Sequence, residues 1–206
     1  MKIFDISWPI TPEITEYKNK KTVRIDHVKT FERDAVRESV IQLGSHTGTH
    51  IDAPSHFIAS GTSFEDLPID ACIGACVVID CTNVAVITSD ILRMHDIGAH
   101  AIVLCKTDNS DCEPTAEFNP SFVYLDASAA QYLAEKQIKA VGIDYLGIER
   151  NQPAHETHIL LMQEGITIIE GLRLANVPAG SYELICLPLK IECVEAAPAR
   201  AILISR

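Results

Sequence analysis

Apolar and polar positions fall into alternating strand-like and helix-like stretches from one end of the chain to the other. Residues 2–6 read as a first strand, followed by a loop that Pro9 and Pro12 punctuate. Residues 22–30 and 39–43 alternate with period two, which predicts a pair of strands. Residues 76–80 are a short β-branched run of the kind that both faces of a sheet bury. Ser89-Asp90 caps a short helix through Met94 that ends near Gly98, and residues 101–105 form another buried strand. Asp126 caps a helix over 127–136, rich in good helix formers, and residues 140–144 follow as a strand. Residues 155–164 read as a helix stopped by Gly165, the residue type suited to a left-handed position at a helix end. Strands over 166–169, 184–192 and 201–205 complete the pattern. Strands separated by helices predict the α/β class, and the strand-rich ends add antiparallel pairings. The expected architecture is a mixed, curled sheet with helices packed outside it.

The 206 residues suffice for one domain, 1–206, and no repeat, low-complexity segment or linker divides them. A formal net charge of −11 argues against nucleic acid or an anionic membrane surface as partner, since both are bound by clustered Lys and Arg. The one basic cluster, Lys18, Lys20 and Lys21, is short and reads as a solvated loop. No apolar run approaches the ~18 residues of a transmembrane helix. The first residues lack the apolar run and cleavage site of a signal peptide, so a cytoplasmic location is expected. The seven cysteines are odd in number, sit mostly in apolar strand-like runs and form no CxxC pair. Reduced core thiols are the expectation, and a thiolate zinc site is not supported.

The segment that carries chemistry runs from Gly44 to Phe57. It holds His46, His50, Asp52 and His56 within eleven positions. Neutral imidazoles and a carboxylate are donors that zinc and manganese accept. His46 and His50 are four apart, as in helical metal motifs, but Gly48, the threonines and Pro54 oppose a regular helix. The segment reads as a strand ending near Leu43, then a tight turn that aims several side chains at one point, with Gly48 allowing a close fold. Three loop histidines at the surface would be the bland alternative, but their density together with Asp52 favours a metal site. His56 suits either a ligand or an acid–base role, its natural pKa lying near neutrality.

Three donors leave a cation incompletely held, so others are needed. Residues 155–158, His155-Glu156-Thr157-His158, and then Glu170 are the candidates. A helix and a strand joined by a short turn at Gly165 lie side by side, which lets both reach one place. Glu170 follows the apolar run Ile166-Thr167-Ile168-Ile169, and a carboxylate at the end of a buried strand is costly unless paired or bound to a cation. Spacing alone does not choose between His155, Glu156 and His158. Ser45, Ser55 and the cysteines lie in no nucleophile elbow, and Gly142 and Gly147 form no dinucleotide loop. Asp26-His27 and His95-Asp96 read as surface pairs.

His46-Thr47-Gly48-Thr49-His50-Ile51-Asp52-Ala53-Pro54-Ser55-His56 resembles the HxGTHxDxPxH signature of the metal-dependent cyclase-like hydrolases, a family that includes bacterial kynurenine formamidases and isatin hydrolases. The likeness extends through Asp5-Ile6-Ser7-Trp8-Pro9-Ile10, Val141-Gly142-Ile143-Asp144-Tyr145-Leu146, His158 with Ile169-Glu170-Gly171-Leu172, and Leu187-Pro188-Leu189-Lys190-Ile191. The resemblance implies a two-metal site on His46, His50, Asp52, His158 and Glu170, with His56 on the acid–base position; donors that are all nitrogen and oxygen suit zinc, expected first, and manganese. It selects His158 over His155. It also implies a sheet curled towards a barrel, and a homodimer or larger homo-oligomer. Kynurenine formamidases carry an aromatic residue followed by Pro-Gly in the first loop; here the equivalent is Tyr17-Lys18-Asn19, so the pocket wall is expected to differ. Trp8 and Phe57 are the residues expected to offer a ring apolar surface.

The function expected from the resemblance is hydrolysis of a small amide, arylformamidase-like in the first instance (N-formylkynurenine to kynurenine and formate), with a metal-activated water. A cyclic-amide hydrolase of the isatin-hydrolase type is the second reading. An inactive scaffold stabilised by metal is a third, and His56 counts against it, since a structural site needs no acid–base group.

Overall fold

The computed structural model describes residues 1–205. Twelve strands are present among them: β1 (Lys2–Asp5), β2 (Arg24–Lys29), β3 (Glu38–Gln42), β4 (His50–Asp52), β5 (Ile73–Asp80), β6 (Val86–Ile87), β7 (Ile102–Lys106), β8 (Tyr124–Leu125), β9 (Ala140–Ile143), β10 (Thr167–Glu170), β11 (Gly180–Pro188) and β12 (Ala196–Ser205). The α-helices are α1 (Phe31–Asp34), α2 (Ser89–Arg93), α3 (Ala127–Glu135) and α4 (Glu156–Gln163).

The main sheet runs β1-β12-β11-β5-β7-β9-β10-β4, and β4 also pairs with β12. That last pairing closes seven strands into a mixed barrel. The parallel part is β5, β7, β9 and β10; the remaining pairs are antiparallel. β12 is long enough to serve two neighbours on one edge. Ala196, Ala197 and Pro198 face β4, while Ile202 to Ser205 face β1. The curled mixed sheet expected from the pattern is thus a closed barrel.

Alternation of side chains divides the core in two. Ile102 and Leu104 of β7, Cys76 and Val78 of β5 and Ile169 of β10 point inward, with Leu184, Ala201 and Leu203 from the antiparallel wall. Val103, Cys105, Ile79, Val141 and Ile168 point outward and meet Leu92, Ala129, Leu133, Leu161 and Met162 of the helices. The parallel strands are therefore buried on both faces, which is why they read as near-continuous apolar runs. Asp126 caps α3 as expected, accepting a hydrogen bond from the Ala129 N–H at 2.9 Å.

Several boundaries differ from the sequence reading. β12 begins five residues before the expected 201, because Ala196-Ala197-Pro198-Ala199 is poor in strand formers and only its pairing with β4 and β11 makes it a strand. β11 likewise begins at Gly180 and ends at Pro188, where 184–192 was expected. His155 lies outside α4, in a left-handed conformation with φ 52°. The paired strands β2 and β3 form a separate antiparallel ribbon, not part of the barrel. Five of the seven cysteines, Cys72, Cys76, Cys81, Cys105 and Cys186, are buried free thiols.

One buried carboxylate ties the C-terminal ends of the parallel strands together. Asp144, just after β9, accepts hydrogen bonds from Thr107 N and Oγ1 (2.8 and 2.6 Å) and from Ser110 Oγ (2.7 Å). Ser110 Oγ in turn accepts from Leu174 N at 2.8 Å. Burial pushes the Asp144 carboxyl up to about 6, against the pull of the Thr107 and Ser110 hydrogen bonds. A folded-state value above the unfolded one means that its contribution to stability is fully present below the unfolded pKa and is lost as pH rises through about 6. Asp144→Asn removes this titration. The stability difference between variant and parent is expected to move by about 2 kcal/mol in the variant's favour from about pH 4 to about pH 7. Denaturant melts at several pH values measure it, and parallel pH profiles would refute the assignment.

Candidate active site

β4 is only three residues long, yet it carries two of the site's side chains. Ile51 points into the barrel, so His50 and Asp52 point out of it. The same alternation turns Ile169 of β10 inward and Glu170 outward. The register then sets Glu170 directly opposite His50. The site is consequently built on the outer face of the barrel, beneath α4. That helix presents His158 on the same face as Leu161 and Met162, which anchor it to Ile168 of β10.

The turn before β4 supplies His46. Gly48 adopts φ +61°, and the Thr49 hydroxyl donates to the Gly171 carbonyl at 2.5 Å while accepting from the Trp8 N–H at 2.8 Å. Gly171, immediately after Glu170, has φ +69°, and a Cβ there would collide with the Gly48 carbonyl. This backbone contact holds the two chemically loaded segments together. The expected tight turn is present at 46–49, but it leads into a strand rather than straight to Pro54. Pro54 opens a single 3₁₀ turn that ends on His56.

All six residues singled out from the sequence converge. His50 Nε2 lies 3.4 Å from Glu170 Oε2 and 3.5 Å from Asp52 Oδ1. His158 Nε2 lies 3.4 Å from Glu170 Oε1 and 3.8 Å from Asp52 Oδ2. His46 Nδ1 is 3.1 Å from Asp52 Oδ1. The His56 ring sits 4.2 Å from that of His46, and its donor atoms lie within 4.8 Å of those of His46 and Asp52. His50, Asp52 and Glu170 form a second group of the same kind.

The donor atoms fit a divalent cation. His50 Nε2 and both Asp52 oxygens are buried without a hydrogen-bond partner, a costly state for polar atoms that face one another. His50 Nδ1 is satisfied by the Gly48 carbonyl at 2.9 Å, which makes Nδ1 the N–H donor and leaves the Nε2 lone pair aimed at the carboxylates. Nitrogen and oxygen donors of this mixture suit zinc and manganese alike.

Two carboxylates that sequence reasoning missed support the cluster from behind. Glu149 lies 3.1 Å from His158 Nδ1, accepts from the His158 backbone N–H at 3.1 Å and hydrogen-bonds His155. Glu195 accepts from Ser45 Oγ at 2.6 Å and lies 3.3 Å from His46 Nε2. Carboxylates behind imidazoles orient the rings of metal-binding histidines. Neither had a local signal: Glu149 stands in a loop, and Glu195 is brought to His46 only by the β4–β12 seam. His155, the rival of His158 in spacing, shares Glu149 with it: one donor atom from each of the three lies within 4.8 Å of the others, and the His155 ring is 4.5 Å from that of Phe57.

Burial would lower the His50 imidazole, but Glu170 and Asp52 outweigh it and push it up to about 9. His158 rises to about 10 against burial, through Glu149, Glu170 and Asp52. Glu170 is held far below the usual carboxylate range, burial being overcome by His158 and His50. His56 differs: burial lowers it, Asp52 opposes and His46 adds to the drop.

A cavity of about 680 Å³ opens over the cluster. His46, His56, His158 and Glu170 line one part of it, and Tyr17, Phe57, Phe118 and Phe122 another. That size and mixture suit a small ligand with an aromatic ring. Phe57 is where the sequence placed it. Trp8 is not: it is a core residue, 2 % exposed, with its indole N–H donating to the Pro114 carbonyl and its ring against Tyr145. Tyr17 takes the role of apolar wall, packed edge-on against Phe118 at 4.9 Å. Lys18 and Asn19, both at φ 55°, make the turn where kynurenine formamidases carry Pro-Gly.

Barrel, outer-face cluster and adjoining aromatic cavity together define a metal-dependent hydrolase of the cyclase type. The family model described as "Putative cyclase" matches residues 4–150, and the chain belongs to that family. It is 33% identical over 210 residues to a kynurenine formamidase of Salinibacter ruber, covering 98% of this chain and 97% of the relative. Among solved structures it is similar to a potential metal-dependent hydrolase with cyclase activity (43% identity, TM-score 0.89, covering 100% and 98% of the two chains). It shares its fold with isatin hydrolase A of Labrenzia aggregata (24% identity, TM-score 0.84, covering 100% and 94%).

Two predictions follow from this geometry. Gly171→Ala is expected to cost more than about 2 kcal/mol, because the strained φ and the Gly48 carbonyl both oppose a side chain; chemical denaturation reads this, and a neutral result would show that the two segments part freely. Binding of zinc or manganese to the metal-free protein must displace the protons on His50 and His158. Apparent affinity therefore rises as pH rises from about 6 towards about 9, with proton release. Calorimetric titrations in buffers of different ionisation heat check it, and a pH-independent affinity would exclude those imidazoles as donors.

Proposed function

We propose that the protein is an arylformamidase-like amide hydrolase, with His46, His50, Asp52, His158 and Glu170 as donors to divalent metal and His56 as the catalytic acid–base. The observation that carries the reading is the convergence of five buried or half-buried donors, several unpartnered, beside an aromatic-walled cavity. A divalent cation held there supplies Lewis acidity to the amide carbonyl and makes water acidic enough to attack near neutrality. The chain's own groups do the rest. Phe57, Tyr17 and Phe118 hold an aryl ring and keep bulk water from it. His56, kept in its neutral form by burial, accepts the proton of the attacking water and returns it to the departing nitrogen. Glu149 and Glu195 fix the rings of His158 and His46.

Two ions per subunit, zinc in the first place and manganese as the alternative, agree with donor groups that outnumber the needs of one ion. Residues 1–206 act as one unit. Buried free thiols support a reducing cytoplasm. Apolar side chains left exposed on the β2–β3 ribbon and α1, Val28, Phe31, Val40 and Ile41, support a homodimer or larger homo-oligomer. No helix among the described residues is long and apolar enough to cross a membrane.

The test is turnover of N-formylkynurenine against isatin with added zinc or manganese. The formamide is expected to be preferred; preference for isatin would make the protein a cyclic-amide hydrolase, and turnover of neither would favour a scaffold. His56→Ala is expected to keep its metal, read by elemental analysis, and to lose about 10²- to 10⁴-fold in kcat. Loss of metal in that variant would make His56 a ligand.

A further inference from the structure

The far side of the cavity is cationic, in a chain of net charge −11. Lys18, Lys20 and Arg150 all line it. Arg150 is part-buried, and its guanidinium is held in place by aromatic rings, 4.8 Å from the Tyr124 centroid and 5.9 Å from that of Phe122. Its Nε is buried with no hydrogen-bond partner. Among the described residues no carboxylate pairs with it. The two acids that line the same cavity are already committed, Glu149 to His155 and His158, and Glu170 to His50 and His158. Lys18 rests over the Tyr17 ring at 5.2 Å and has no acidic partner either. A guanidinium that is stacked, partly desolvated and left with free donors is a built receptor for a planar anion, which it grips with two parallel hydrogen bonds.

We propose that Arg150 is a specificity determinant that binds a carboxylate on the substrate, with Lys18 adding charge. N-formylkynurenine already carries such a carboxylate, and the assignment gives it a place: the amide at the histidine cluster, the ring against the aromatic wall, the anion at Arg150. This rests on the amide-hydrolase reading above but concerns a different part of the cavity. Lys18, Lys20 and Lys21, a solvated loop by sequence, gain a use because the loop packs beside Phe118 and brings two of them to the cavity.

The test compares meta-carboxymethyl formanilide with its neutral carboxamide isostere on the metal-loaded protein. The acid is expected to exceed the amide about 10- to 100-fold in kcat/KM, mainly through KM, as for one charge-assisted contact. Arg150→Gln, and Arg150→Met as a second variant that keeps the packing against Phe122, are expected to bring that ratio close to one. Lys18→Gln should lower it by a smaller factor. A ratio near one in the parent, or one that survives both Arg150 variants, overturns the proposal; the second outcome would place the carboxylate on the metal instead. If neither compound is hydrolysed, and N-formylkynurenine and isatin are not either, the amide-hydrolase reading fails by itself. Calorimetric binding of the same two compounds then decides: tighter binding of the acid that depends on Arg150 upholds the inference, and equal binding ends it.

Discussion

The pairing of β4 with β10 is the constraint on which the rest of the molecule depends. Three residues, His50 to Asp52, sit between β10 on one side and β12 on the other, and they close the barrel. Because side chains alternate, the residue that seals the interior, Ile51, is flanked by two that must point outward. Glu170 is set against His50 by the same ladder. Closing the core and assembling the polar cluster are therefore one event. Such a cluster leaves buried donors facing one another, which is tolerable only when protons or cations stand between them.

The surroundings answer that electrostatic problem at several ranges. Gly48 and Gly171 let the two backbones touch, which draws together the segments that carry His46, His50 and Glu170. Glu149 and Glu195 stand behind the imidazoles and turn them towards Asp52 and Glu170. α4 lies over the cluster because Leu161 and Met162 bury against the outer face of the sheet. Further out, Lys18, Lys20 and Arg150 line the cavity wall of an otherwise acidic chain. The arrangement sorts the cavity into an end lined by histidines and a carboxylate, an apolar middle and a cationic end, the layout expected for a ligand with three chemically distinct parts.

Much of this was legible one residue at a time. The runs that became β7, β9 and β10 are continuous in apolar residues because both of their faces are covered, and such runs need no knowledge of partners. Asp126 announces α3 through its own side chain. The His46 to His56 segment declares itself by density, since three imidazoles and a carboxylate in so short a stretch are hard to explain as surface. His158 and Glu170 were harder: spacing left His155 open, and only resemblance to a known family chose between them. Trp8 misled, because an aromatic near a motif carries no mark of which side of the core it occupies. β4 itself was read as a turn, since three residues with His and Asp have no strand propensity of their own.

By itself, the sequence determined which short stretch concentrates imidazoles and a carboxylate, which stretches are strands buried on both faces, and where Asp126 and Gly165 bound their helices. These are properties of residue type and local spacing, and the chain's own covalent order preserves them. Tertiary structure alone decided that β12 begins in an alanine–proline stretch, that Glu149 and Glu195 support the histidines, and that Arg150 and Lys18 face the same cavity as His56. Each of these joins residues far apart along the chain or lacking any local pattern. Their nearness is set by the barrel's closing seam and by the packing of side chains, and no local preference encodes it.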